Sequence, residues 1–151
     1  MIALIIGNGG REHALAWKIS QAPNVSKVYV APGNGGTATA DSIIENIDLI
    51  EFDDLVKFAK EKRVDLTIVG PEIPLSNGLV DYFQKNGLKI FGPTQKAAQL
   101  ESSKDFAKKF MVKHGIPTAE HQTFSDIQLA HDYVELKGAP IVIKADGLAA
   151  G

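Results

Sequence analysis

The sequence predicts an α/β fold built on a parallel sheet, and three observations predict it. Its strands are short apolar runs of the kind covered on both faces. They alternate with helical segments at lengths that suit right-handed strand–helix–strand crossovers. Most of them stop at a glycine-bearing loop, the punctuation of a strand-to-helix turn.

The first run, Ile2 to Ile6, is broken by Gly7-Asn8-Gly9-Gly10. Arg11 to Gln21 follows, with Leu15, Ile19 and Ala22 at helical spacing. Lys27 to Val30 is a second strand, ended by Ala31-Pro32-Gly33-Asn34-Gly35-Gly36. Asp48-x-x-Glu51 reads as a capping box before a helix whose apolar face is Phe52, Leu55, Val56 and Ala59. Asp65 to Val69 is a third strand, closed by Gly70-Pro71-Glu72, and a helix over Asn77 to Asn86 leads to a fourth, Lys89 to Phe91. From Thr94 to His114 the pattern is helical, interrupted at Glu101-Ser102-Ser103 because serine favours a new N-cap over a helix interior. Phe106, Phe110 and Met111 share one side of it. A short strand near His121 to Phe124 precedes a helix opened at Ser125-x-x-Gln128, with Ile127, Ala130 and Val134 inward and Gly138 as its stop. Pro140 to Lys144 is a last strand, followed by the glycine-rich Gly147-Leu148-Ala149-Ala150-Gly151. A folded domain seldom finishes on such a loop, so the chain is expected to be a fragment of a longer protein.

Composition narrows the function classes. Hydrophobic residues make up 44% of the 151-residue chain and charged residues 23%, enough for a packed core. With 16 Lys plus Arg against 18 Asp plus Glu, the sequence offers no broad basic face for nucleic acid and no polybasic membrane anchor. The absence of cysteine excludes a disulfide framework and thiolate zinc sites. A cytoplasmic monomer is the expectation. His13, His114, His121 and His131 lack metal-ligand spacing and read as surface or capping residues; Trp17 reads as a packing residue.

In an open parallel sheet the ligand crevice lies beyond the carboxyl ends of the strands. Gly7, Asn8, Gly9, Gly10, Gly33, Asn34, Gly35, Gly36, Pro71 and Glu72 are therefore expected to converge on one edge. The Gly9-Gly10 turn lets backbone approach an anion, the following helix aims its positive end there, and Arg11 adds a two-toothed donor suited to phosphate. Tight turns alone would also account for Gly33 to Gly36, and a solvated loop acid for Glu72; both alternatives stay open. A dinucleotide site is the obvious rival. However, Gly7-x-Gly9-x-x-Glu12 puts Glu12 where the third glycine of that fingerprint belongs. In addition, Ala31-Pro32-Gly33 stands about 20 residues on, where an acid should meet the ribose. A single phosphate ester suits the loops better. In the second half, Lys104 at a helix start and Lys144 closing a strand beside a glycine-rich loop suit point charges on a nucleotide phosphate.

These residues resemble a known family, the phosphoribosylamine–glycine ligases (glycinamide ribonucleotide synthetases) of the ATP-grasp superfamily. The resemblance is carried by Ile5-Ile6-Gly7-Asn8-Gly9-Gly10-Arg11-Glu12-His13-Ala14, Ala31-Pro32-Gly33-Asn34-Gly35-Gly36-Thr37, Val69-Gly70-Pro71-Glu72-x-Pro74-Leu75 and Phe91-Gly92-Pro93-Thr94. It continues through Ala98-x-Leu100-Glu101-x-Ser103-Lys104 and Ile143-Lys144-Ala145-Asp146-Gly147-Leu148-Ala149-Ala150-Gly151. It implies a Rossmann-like (pre-ATP-grasp) domain over residues 1–102 and the beginning of an ATP-grasp domain over 103–151. It further implies ATP-dependent joining of glycine to 5-phosphoribosylamine through a glycyl phosphate, in purine biosynthesis. Gly7, Asn8, Gly9, Gly10, Arg11, Gly33, Asn34 and Gly36 would hold the sugar phosphate, and Pro71 and Glu72 the ribose or its amine. Lys104, Lys144, Gly147 and Gly151 would meet ATP. Magnesium or manganese would bind with ligands beyond Gly151, so this chain alone is expected to be inactive. A dinucleotide-binding oxidoreductase domain and a non-catalytic phosphate-binding module are the other readings.

Overall fold

The computed structural model describes residues 1–148, and the chain divides into two compact units, Met1–Ala98 and Gln99 onward. The expectations for Ala149, Ala150 and Gly151 lie outside the described residues.

The first unit is an open five-stranded sheet in the order β3-β2-β1-β4-β5, with every pair parallel. Its strands are β1 (Ile2–Gly7), β2 (Lys27–Pro32), β3 (Ile44–Asn46), β4 (Leu66–Val69) and β5 (Ile90–Phe91). Central β1 is buried from Ala3 onward, as its unbroken apolar run requires. On one sheet face Leu4, Ile6, Tyr29, Ala31 and Val69 meet α2 (Phe52–Glu61) and α4 (Leu79–Lys85) through Leu55, Val56, Leu79, Val80 and Phe83. On the other, Ile5, Val28, Val30 and Ile44 cluster with Ala16 of α1 (Gly10–Ser20).

Several local expectations change. The buried positions of α1 are Glu12, Ala16 and Ser20; Leu15 and Trp17 are exposed, Trp17 at 51%. Two polar residues on the inward face disguised it, and Trp17 is not a packing residue. Helix α2 starts from Glu51 without a side-chain cap, so the Asp48-Glu51 capping box does not form. The helix expected over Asn77 to Asn86 is preceded by a separate α3 (Glu72–Ser76), and the two are separated at Gly78, which takes φ 87°. Strand β3 was not foreseen: with three residues and only Ile44 buried, it carries almost no pattern.

The second unit is helical among the described residues. Helix α5 (Gln95–Ser102) spans the division, and α6 (Lys104–Lys113) and α7 (Ile127–Lys137) follow. Ser103 caps α6, its Oγ accepting from the Phe106 N–H at 3.1 Å, so the serine break falls where expected. Asp126 caps α7, accepting from the Gln128 and Leu129 amides, and Gly138 ends it at φ 69°. Phe106 and Phe110 stack with centroids 6.4 Å apart. Ile127, expected inward, is exposed. The strands expected at His121 to Phe124 and Pro140 to Lys144 are not formed, and Val142 and Ile143 are each 78% exposed. A strand exists only as one side of a ladder, and these segments find no pairing neighbour among the described residues.

Candidate functional site

The sheet order reverses at β1: the chain lays β2 and β3 on one side of it and then β4 on the other. Such a switch point opens a crevice at the carboxyl ends of the two diverging strands. The loop after β1 and the Pro71-Glu72 turn after β4 stand there, and they are joined. Arg11 Nη1 donates to Glu72 Oε1 at 2.8 Å and Nη2 to Oε2 at 3.2 Å, a two-toothed ion pair. The guanidinium holds the Glu72 carboxyl below the usual glutamate range, and Glu72's own N–H at the start of α3 adds to this. Glu72 is thus the first residue of a short helix with Pro71 as its N-cap, not a loop acid.

The loop after β2 closes the third side. Asn34 Nδ2 donates to the Asn8 and Gly9 carbonyls at 2.9 and 3.4 Å, and its Oδ1 accepts from the Gly36 and Thr37 amides. Gly33 N–H reaches the Gly7 carbonyl at 3.2 Å. Thr37, fully buried, ties this loop to Asn46 of β3 at 2.7 Å. The loops expected to share one edge are therefore bonded to one another, two of them through the Asn34 side chain and the Gly33 amide.

Glu12 is the residue whose part sequence reasoning missed. It is 2% exposed, and its Oε2 accepts the Gly9 N–H at 2.7 Å, the backward half of a capping box on α1. Its Oε1 is buried with no hydrogen-bond partner. A Cβ at Gly7 (φ 131°) or at Gly70 would collide with the Glu12 carboxylate. These two glycines make room for the acid that replaces the third glycine of the dinucleotide fingerprint. The signal was present in Gly7, Glu12 and Gly70, but only the fold puts them together. Similarly, Cβ atoms at Gly33 and Gly36 would strike Asn46 and the His13 ring, whereas Gly10 and Gly35 face open space. A side chain would find room at Gly10 and Gly35, whereas Gly7, Gly33 and Gly36 have none beside their neighbours.

In the second unit, Asp146 Oδ1 accepts from the Lys104 N–H at 2.6 Å and the Asp105 N–H at 3.2 Å, and Ser103 Oγ donates to Oδ2 at 3.1 Å. The Asp105 amide, with the Gly147 and Lys104 amides and the Ser103 hydroxyl, depresses the Asp146 carboxyl. Lys104 Nζ donates to the Gly147 carbonyl at 2.7 Å. Lys104 and Gly147 are thus brought together, whereas Lys144 is exposed on a segment that is not a strand.

A parallel sheet with a switch-point crevice, followed in the chain by a helical unit, defines an α/β protein. Solved structures share that fold. N5-carboxyaminoimidazole ribonucleotide synthetase from Thermotoga maritima superposes with TM-score 0.67 at 20% identity, over 92% of this chain and 37% of that one. The biotin carboxylase domain of the Hydrogenobacter thermophilus 2-oxoglutarate carboxylase, determined with MgADP, ADP and bicarbonate, gives 0.68 at 16%, over 91% and 33%.

The chain belongs to the phosphoribosylglycinamide synthetase family: residues 1–101 match that family's N domain and residues 102–151 its ATP-grasp (A) domain. Proteins named phosphoribosylamine–glycine ligase are similar along the whole chain, at 64% identity in Neisseria meningitidis serogroup B and 60% in Ralstonia nicotianae. The chain spans 36% of the length of each of these relatives.

Proposed function

We propose that this chain supplies the sugar-phosphate site, and the first part of the nucleotide site, of a cytoplasmic ligase. That ligase joins glycine to 5-phosphoribosylamine, cleaves ATP to ADP and phosphate, and passes through a glycyl phosphate. Family membership supports the reaction class. The observation that carries the site is the joining of three loops at the switch point, with Arg11 and Glu72 on its two sides. Glu12 also counts against the dinucleotide rival, because its carboxylate fills the space beside Gly7 and Gly70.

In this reading the open backbone at Gly10 and the positive end of α1 receive the phosphate, and Arg11 grips it. Glu72 takes the ribose hydroxyls or the amine and so orients the nucleophile. Asn8 and Asn34 hold the loops in register. Lys104 and Lys144 give point charges for the ATP phosphates, Gly147 meets the same nucleotide beside Lys104, and the boundary between the two functional parts lies at 102/103. Magnesium would offset phosphate charge in the phosphoryl transfer. Among the described residues no group of three or more His, Cys, Asp or Glu side chains is gathered to hold a metal. No described helix is long and apolar enough to cross a membrane.

The test uses the intact ligase. Arg11→Ala should weaken sugar-phosphate binding and leave ATP affinity nearly unchanged, with Lys144→Ala showing the opposite selectivity in a nucleotide titration. Equal losses for both substrates in either variant would count against the assignment.

A further inference from the structure

We propose that Glu72 is a specificity-determining residue that competes with the ligand's phosphate for Arg11. The inference rests on the reading that the crevice holds a sugar phosphate, and it adds what happens when no ligand is there.

The pair is built as a phosphate contact would be. Both guanidinium nitrogens that would grip two phosphate oxygens grip the two carboxylate oxygens of Glu72 instead, at 2.8 and 3.2 Å. The partners come from opposite sides of the switch point, Arg11 from the first turn of α1 and Glu72 from the start of α3, so the pair lies across the crevice. The side chains are 65% and 38% exposed, so a ligand can reach the pair and water can take up its separated charges. An exposed pair of this kind is weak enough to open.

The consequence is selectivity. An incoming phosphate must displace the Glu72 carboxylate, and a bare anion leaves that carboxylate without its guanidinium. A phosphate ester whose other end carries hydroxyl or amine donors restores a partner to it. The pair therefore disfavours inorganic phosphate relative to sugar phosphates, and most favours a sugar phosphate bearing an amine.

The experiment titrates the intact ligase with inorganic phosphate and with ribose 5-phosphate by calorimetry, for wild type, Glu72→Gln, Arg11→Gln and the double variant. Circular dichroism checks folding, and Glu72→Ala serves as the second variant. The expected result is roughly two- to fivefold tighter inorganic phosphate binding in Glu72→Gln, the range of an exposed ion pair. The gain should be smaller for ribose 5-phosphate and absent when Arg11 is also replaced. Binding of both ligands with affinities unchanged by Glu72→Gln and Glu72→Ala overturns the competition and leaves the site reading standing. A gain that persists without Arg11 also overturns it, since bulk charge would then be the cause. No binding of ribose 5-phosphate to either the wild-type or the Glu72→Gln ligase overturns the site reading, and the competition with it.

Discussion

In the first unit Leu4, Leu79, Val80 and Phe83 are wholly buried, while every described residue of the second unit from Gln99 onward is at least partly exposed. The helices differ accordingly. Helices α1, α2, α3 and α4 begin at Gly9, Glu51, Pro71 and Gly78, none of which makes a side-chain cap. Helices α6 and α7 begin at Ser103 and Asp126, and both caps are made. Burial against a sheet orders a helix whose ends are poorly finished, whereas a helix without a core depends on its local bonds. The same contrast explains why strands form in the first unit and not among the described residues of the second: helix bonds are internal, but a ladder needs a neighbour.

The largest effect should come from the core. Leu4→Ala is expected to destabilise the first unit by about 2–5 kcal/mol, read by chemical denaturation, with α6 and α7 amide protection unchanged. Loss of α6 and α7 at the same denaturant concentration would break the comparison. Next, Gly70→Ala should cost about 1–3 kcal/mol through its collision with the Glu12 carboxylate. Glu12→Ala combined with it should recover much of that loss, and strict additivity of the two changes would refute the close approach.

In the second unit, Ser103→Ala and Asp126→Ala should each cost about 1 kcal/mol of local helix stability, seen as faster hydrogen exchange in α6 or α7 alone. Acid should act there too. The folded Asp146 carboxyl titrates below the ordinary aspartate value because the Asp105, Gly147 and Lys104 amides and the Ser103 hydroxyl favour its ionised form. Its contribution is therefore complete above the ordinary value and is lost as pH falls through the depressed one. Lys104 and Asp105 amide exchange should accelerate over that acid interval in the wild type but not in Asp146→Asn, which never forms the charged contact. Smallest of all, Leu136→Ala at an 81% exposed position should change stability by less than about 0.5 kcal/mol.

Much of the first unit was legible because apolar runs report burial directly. Ile2 to Ile6, Lys27 to Val30, Asp65 to Val69 and Lys89 to Phe91 each became a strand within a residue or two at each end. The gathering of Gly7 to Arg11, Asn34 and Glu72 at one edge followed from the parallel order. The inward face of α1 was not legible, since Glu12 and Ser20 look like surface residues until the sheet covers them. Nor did the pattern separate glycines whose neighbours leave no room for a side chain from those with open space beside them.

The sequence alone settled which segments are apolar enough for a parallel sheet, where serine and glycine start and stop helices, and which loops carry phosphate-suited chemistry. These are properties of neighbouring residues, and local physics decides them. Only the tertiary structure decided that Glu12 lies between Gly7 and Gly70, that Arg11 grips Glu72 across the crevice, and that Pro140 to Lys144 is not a strand. Each of these depends on a partner distant in the chain, and only the folded backbone determines whether that partner is in reach.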